Sequence, residues 1–430
     1  MSKLSQALAV IMVLILAILL AACTGTATET DPPSDDSPVE MPLNILLDIP
    51  IGDSTDYHIG IVTLPLRYCE DENLAAEALI AQYGKVEDGG MIKHVVLPNE
   101  LAQEAELNIP QIISLKDDPL MKAVIVNPGV QGTAAAFQKI REAGRDDILL
   151  IANMSQDDPV VISQVADVIV DSDNVLRGYY DILRAKNMGA KTFVHMSFPR
   201  HMSVYVLARR KAIYEEACND LGLEFLFETI PDPVAGDFGV SMSRQPLYDT
   251  MPRLIEKYGK DAAYFTTNIA LHERVIRGVV ELGAIFVDSD DISPICGFPS
   301  ALGVDLSDVI GDWPAIVAKI EDAVVAKGMS GRVGCWPYSF AYTAGIGLFE
   351  FAKATVEGTA ADDTLSEIVK AFQVNTPGCD WVSGVFKYPD GSQLNNYYLL
   401  AMDTYIFGQG YSGVLSEPFP EKYYSIEPQY

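Results

Sequence analysis

Compact apolar, β-branched runs alternate with stretches of helical spacing along most of this chain. The runs are YHIGIVTL at 57–64, AVIVNP at 123–128, ILLIAN at 148–153, ADVIVD at 166–171, TFVHMS at 192–197, LEFLFET at 223–229, AAYFTTN at 262–268 and AIFVDS at 284–289. Continuous apolar runs of this length predict strands covered on both faces. Between them, GTAAAFQKIREAG (132–144), HMSVYVLARRKAIYEEACNDLG (201–222), MPRLIEKYG (251–259) and LHERVIRGVVELG (271–283) carry apolar residues at helix spacing. Several close on Gly, which tolerates the left-handed cap. The alternation predicts an α/β fold with parallel strands and crossover helices. It excludes an all-β, coiled-coil or membrane-embedded body, and no repeat of solenoid period is present. In open parallel sheets ligands sit beyond the carboxyl ends of the strands, so polar residues there are the functional candidates.

The N-terminal pattern is different. After Lys3, residues 7–22 read ALAVIMVLILAILLAA without a charge, shorter than the roughly 20 residues a spanning helix needs. This pattern fits a secretory signal over residues 1–22. It ends in Leu20-Ala21-Ala22-Cys23, which resembles the lipobox of bacterial lipoproteins. The resemblance implies cleavage before Cys23 and a lipid on that residue, placing the protein on the outer face of the cytoplasmic membrane or in a periplasm. Residues 23–53 are rich in Thr, Ser, Pro and Asp and are expected to form a flexible linker.

Charge narrows the partners. The 430 residues include 59 acidic and 30 basic, a net charge of −29, and loss of Lys3 with the signal makes it −30. Such a surface repels phosphate backbones, so no nucleic acid is expected as a partner. It also disfavours adhesion to anionic lipid, leaving the acyl chains as the membrane anchor. Cys69, Cys218, Cys296, Cys335 and Cys379 are scattered and odd in number, and the histidines form no ligand-spaced pair. No metal site and no cofactor are expected, although one disulfide is compatible with an oxidising compartment.

The order of pieces resembles type I periplasmic binding proteins, the ribose- and nucleoside-type solute receptors of ABC importers. The likeness rests on strands ending at Asn127-Pro128, Asn153 and Asp171, on the crossover DSDNVLRGYYDILRAKNMGAKTFVHM (171–196), and on FTTNIALHERVIRGVVELGAIF (265–286) and CGFPSALGVD (296–305). It implies two Rossmann-like lobes with parallel sheets joined by a hinge: 54–175 plus part of 335–430, and 176–334, with a C-terminal extension. Pro299 stands where that superfamily carries Asp. NPGVQGTAAAFQKIREAGRDDILLIANMSQDDP, HMSFPRHMS, CGFPSALG and GMSGR are also similar to a bacterial family known as domain of unknown function 3798. LacI-type repressors share the fold, but a lipobox and an acidic linker occupy the place of their basic helix-turn-helix.

Candidate ligand residues follow from the strand ends. Arg67 could fork two bonds to an anion or polyol, or pair with Glu70 or Asp71. Asn127 and Gln131 end the AVIVNP run, beside Thr133, a possible helix cap. Asn153 and Ser155 end the next, where Asn offers donor and acceptor or an Asx turn. Asp171 stands with Asp173 at the lobe crossover. Ser197, Arg200 and His201 lead into a helix, where a cation would favour an anionic group or bridge the hinge. Asn268 closes another strand, with His272 behind it. Near the last crossover, Arg332 could reach a ligand and Trp336 could cover a ring or pack between lobes. These arginines and aromatics suggest a polar, anionic or ring-bearing solute.

No G-x-S-x-G elbow, P-loop or H-E-x-x-H occurs, and Ser197 beside His195 and His201 lacks a strained elbow. The chain is therefore expected not to be an enzyme. The expected role is an extracytoplasmic, lipid-anchored receptor that captures a small polar solute between two lobes for an ABC importer and its permease. The alternatives are a receptor coupled to a membrane signalling protein and an extracytoplasmic hydrolase.

Overall fold

The computed structural model describes residues 56–66, 70–98, 105–233, 250–290 and 292–430. The expectations for Cys23, the linker, Arg67 and Cys69 lie outside them.

Residues with a continuous apolar pattern form the strands of the first lobe: β1 (His58–Thr63), β2 (Ile92–Val96), β3 (Met121–Val126), β4 (Leu149–Asn153) and β5 (Val168–Ser172). All five are parallel. The second lobe holds β6 (Thr192–Ser197), β7 (Glu224–Thr229) and β8 (Ala262–Thr266) in a parallel sheet ordered β7-β6-β8. The two-residue β9 (Gly334–Cys335) follows. The chain then returns to the first sheet as the hairpin β10 (Val382–Lys387) and β11 (Gln393–Ala401). With β11 parallel to β5, the first sheet reads β10-β11-β5-β4-β3-β1-β2. Finally β12 (Tyr405–Ile406) and β13 (Gly410–Tyr411) add to β9 beside the second lobe.

The chain crosses between lobes three times. It leaves β5 at Ser172, passes from β9 into helix Phe340–Val356, which packs on helix Asp71–Tyr83, and leaves β11 at Ala401 for β12. This is the two-lobed α/β architecture expected. Residues 340–401 join the first lobe, whereas the tail from 405 returns to the second, where Tyr423 belongs to the same buried cluster as Phe193 and Tyr214. Side-chain caps start the key helices. Asp173 accepts from the Val175 and Leu176 N–H groups at 3.0 and 2.9 Å, and Asn268 from Ala270 at 3.1 Å, satisfying donors that the helix leaves open.

Helices Asn174–Asn187 and Tyr205–Leu221 pack closely because residue 178 is Gly, at which a Cβ would lie 2.6 Å from Ile213 Cγ2. The expected strand at 284–289 is extended but paired only through single bridges, Ala263 to Ile285 and Phe286 to Val333. The expected helix at 201–222 breaks at Ser203-Val204 into Pro199–Met202 and Tyr205–Leu221. Cys218, Cys296, Cys335 and Cys379 are buried and stand outside any disulfide. Among the described residues no helix is long and apolar enough to cross a membrane.

Candidate functional site

The carboxyl ends of β1, β3, β4 and β5 face those of β6 and β8 across a cavity of about 160 Å³. Parallel strands put these loops on one edge of each sheet, so opposing the edges gathers the polar turns into one cleft. From the first lobe come Asp71 and Glu72 at a helix start, Gln131, Ser155 and Gln156, and Asp171. From the second come Arg177, Arg200, His201, Arg210, Asn268 and Asp290. Leu64, Val130, Met154, Val204, Leu207 and Ile269 supply an apolar wall. Among the described lining residues the His201 imidazole is the only ring besides Pro128. The two described non-glycine residues with positive φ, Met154 (48°) and Asn268 (138°), both line the cleft. Such backbone costs energy and is held only where its surroundings over-determine it.

The guanidinium groups are engaged with the protein. Arg177 Nη1 donates to Ser172 Oγ at 3.3 Å and to the Asp290 carbonyl at 3.2 Å, and Nη2 to the Ser289 carbonyl at 2.5 Å. Arg177 therefore ties the end of β5 to the second lobe. Arg210 donates to Asn174 Oδ1 at 2.8 Å and forms an ion pair with Asp290. Arg200 forks onto Asp232 at 2.8 and 3.1 Å, a bidentate geometry that uses much of its directional capacity.

The carboxylates are desolvated. Asp171 accepts from the Tyr397 hydroxyl at 3.0 Å, yet burial pushes its carboxyl up to about 7. Asp71 accepts from Ser339 and, at 3.7 Å, from the Cys296 thiol, and burial pushes it up to about 6. Removal from water disfavours the charged form in both cases. The same effect lowers His201 to about 4 and keeps it neutral at pH 7.

Gln131, Ser155, Asp171, Arg200, His201 and Asn268 are thus brought together, as the strand-end rule anticipates. Asn127 and Asn153 lie one layer behind: Asn153 Nδ2 donates to Asn127 Oδ1 at 2.8 Å, and Asn127 Nδ2 to the Ala341 carbonyl at 2.9 Å. They pin β3 and β4 to helix Phe340–Val356 instead of lining the cavity. Ser197 is buried and shares a hydrogen bond with Thr267. Arg332 lies at the opposite edge of the second sheet, donating to the Ala284 carbonyl at 3.2 Å and to that of Lys260; the residue follows a chain reversal, so its nearness in sequence to the last crossover is misleading. Trp336 is buried against Phe340 and Trp381, with ring centroids 6.0 and 5.8 Å away, and packs between lobes without covering the cavity. Arg177, Arg210 and Asp290 had not been anticipated. Asp290 directly follows the AIFVDS run and obeys the strand-end rule, whereas Arg177 and Arg210 lie inside helices, where periodicity marks them only as polar positions.

A family model described as Protein of unknown function (DUF3798) matches residues 57–334, and a second family model matches residues 345–426. Two proteins of Treponema pallidum (strain Nichols), both named only as uncharacterized, are similar. One is 42% identical over 180 residues, 41% of this chain and 81% of its own length. The other is 33% identical over 222 residues, 52% of this chain and 100% of its own length. The crystal structure of a provisionally assigned transcriptional regulator from Clostridium difficile 630 matches with a TM-score of 0.67 at 25% identity, covering 83% of this chain and 100% of that one.

Proposed function

The chain belongs to the DUF3798 family of proteins of unknown function, and we propose that it is an extracytoplasmic, lipid-anchored receptor that captures a small polar solute between its lobes for an ABC importer. The observation that carries this reading is the cleft itself. Loop-bearing strand ends of two lobes oppose one another around a cavity of about 160 Å³, in which buried carboxylates, amides and guanidiniums converge on an apolar wall. A cavity of roughly that size takes up a single small ring such as benzene, so the solute is small. Gln131, Ser155, Asp171, Arg200, His201 and Asn268 contact it. Three chain crossings form the hinge, and closure presents the permease with a distinct surface. The lipid on Cys23 and the acidic linker hold the receptor at the membrane.

A thermal-shift screen of sugars, nucleosides, amino acids, amines and small acids tests the reading. A ligand at 100 times its dissociation constant adds about 2.7 kcal/mol of stability. No stabiliser in any class, with binding likewise absent by calorimetry, removes the receptor function. Cys23→Ser should move the protein from the membrane fraction to the soluble one.

A second reading, a sensor that passes closure to a membrane signalling protein, has one observation behind it: the match to the regulator-assigned structure over that chain's full length. Cross-linking in intact membranes separates the two by the partner recovered, a permease or a signalling protein.

A further inference from the structure

We infer that the cleft holds a small aliphatic carboxylate, whose oxygens are received by the N-terminus of helix Tyr205–Leu221 and by His201 and Arg210 beside it. This inference rests on the receptor reading and names the class of solute.

Helix Tyr205–Leu221 is 17 residues long and begins without a side-chain cap, Val204 standing at its N-cap. Val204, Val206 and Leu207 all line the cavity, so the helix starts at the cleft wall. The N–H groups of a first helical turn have no acceptor within the helix, and they carry the positive end of its dipole. An anionic group is favoured at such a start.

The side chains around this start hold donors that lack acceptors. His201 lies one turn earlier, its carbonyl accepting from the Val204 N–H at 3.1 Å. Its ring is held against Phe198 at a centroid distance of 4.2 Å. It lines the cavity with 6% exposure, and its Nδ1 has no hydrogen-bond partner among the described residues. A neutral imidazole still carries one N–H. Arg210 follows Val206 by four positions, so the two share a helix face, and both line the cavity. Its terminal nitrogens hold Asn174 and Asp290, but its Nε is buried without a partner, as is Nε of Arg177. Enclosed donors are costly until an acceptor reaches them, and a carboxylate brings two acceptor oxygens.

Asp71 and Asp171 face this donor set from the first lobe. Ser293, Ser339 and Glu70 stand around Asp71, while Tyr397, Arg177 and Arg210 stand around Asp171. Burial raises the two carboxyls to about 6 and about 7. In their protonated forms they donate to an anion instead of repelling it. Asp290 is already paired with Arg210. For the body of the ligand, Leu64, Val130, Met154 and Ile269 complete the wall, and no phenyl, phenol or indole ring occurs in the described lining. These side chains suit methylene groups, and a cavity of about 160 Å³ accommodates roughly three to six carbons.

The test is thermal shift and calorimetric titration of the chain at pH 6 with straight-chain carboxylates of roughly three to six carbons, their primary amides, the matching amines, and inorganic phosphate. The expected result is binding of carboxylates, with the amides at least about tenfold weaker and no binding of amines or phosphate. Val204→Asp tethers a competing carboxylate at the N-cap, where the backbone is already extended (φ −79°, ψ 124°) and an aspartate accepts from the first-turn N–H groups. It should weaken carboxylate binding at least about tenfold, with the ligand-free melting point as its folding control. Should that variant fail to fold, His201→Phe carries the same test, with a loss of similar size expected. A folded variant of either kind that binds carboxylate as tightly as the native chain overturns the site. Amides that match the carboxylates, or amines or phosphate bound in their place, overturn the carboxylate assignment and leave the receptor reading standing. Binding of none of the series overturns the carboxylate assignment, and the wider screen then decides the receptor function separately.

Discussion

Asp171 is the residue at which site and stability are coupled. An unfolded aspartate titrates near 4, whereas burial raises Asp171 to about 7 in the folded chain. Between those values the folded state holds a proton that the unfolded state has released. Stability is therefore lost as pH rises through about 4 to 7, and the loss is complete above it. Asp171→Asn removes the ionisation while keeping an oxygen for Tyr397. Without ligand, the variant should match the native chain below about pH 4 and exceed it by of order 1–4 kcal/mol at pH 8. Urea melts at the two pH values check this, and a variant less stable at pH 8 refutes it. His195 has the opposite sign. It is fully buried among Tyr214, Phe225, Phe227 and Phe265 and is lowered to about 3. Its neutral form is favoured on folding, so stability present above about 6.5 is lost as pH falls toward 3. His195→Phe should shift the acid-unfolding midpoint downward, read by circular dichroism. At this scale the sequence was informative where a residue ended a strand, as Gln131, Ser155 and Asp171 did. It was misleading where reach depended on depth: nothing in the order of residues says that Asn127 sits a layer behind Gln131, or that Arg200 already has Asp232.

Helix against helix, the close approach of Asn174–Asn187 to Tyr205–Leu221 depends on Gly178. A Cβ there would stand 2.6 Å from Ile213 Cγ2 and 2.8 Å from Ile213 Cβ, so Gly178→Ala forces the pair apart. The expected loss is about 1–3 kcal/mol, even though alanine is the better helix former. In an Ile213→Ala background the same substitution should cost far less, and a double-mutant cycle measures that coupling. Equal losses in both backgrounds would mean that the contact does not limit the packing. Element types were legible in the chain where burial was complete on both faces: the run TFVHMS is entirely buried as β6. The edge strand β2 escaped notice because it is only partly buried, so its pattern lacks the apolar continuity that marks the inner strands. The 284–289 run read as a full strand, but it borders β8 on one side and residue 333 on the other through single bridges. Apolar burial, not ladder pairing, set its composition.

For the molecule as a whole, the tail beyond β11 acts as a clasp, and Arg209 is its rivet. The side chain is buried, with 2% exposure, and its three nitrogens donate to three backbone carbonyls: Ile426 at 3.0 Å, Lys387 at 2.6 Å and Tyr424 at 2.7 Å. Lys387 ends β10 in the first lobe, Arg209 belongs to a helix of the second, and Tyr424 and Ile426 lie in the C-terminal tail. One guanidinium thereby joins the hairpin, the second lobe and the chain end. The planar fork reaches three separate acceptors, which a lysine ammonium cannot do with the same geometry. Around it Phe419 and Tyr423 pack on Tyr179, at centroid distances of 5.7 and 4.8 Å, so the tail has an apolar footing of its own. Arg209→Leu strands the three carbonyls, each costing about 1–3 kcal/mol unless water reaches it. Since relieving that cost requires the tail to lift, the expected outcome is local opening before global unfolding. Limited proteolysis followed by mass spectrometry should show new cleavage within residues 412–430 of Arg209→Leu, and less in Arg209→Lys. A tail that remains as protected in Arg209→Leu as in the native chain would mean that the aromatic footing alone holds it.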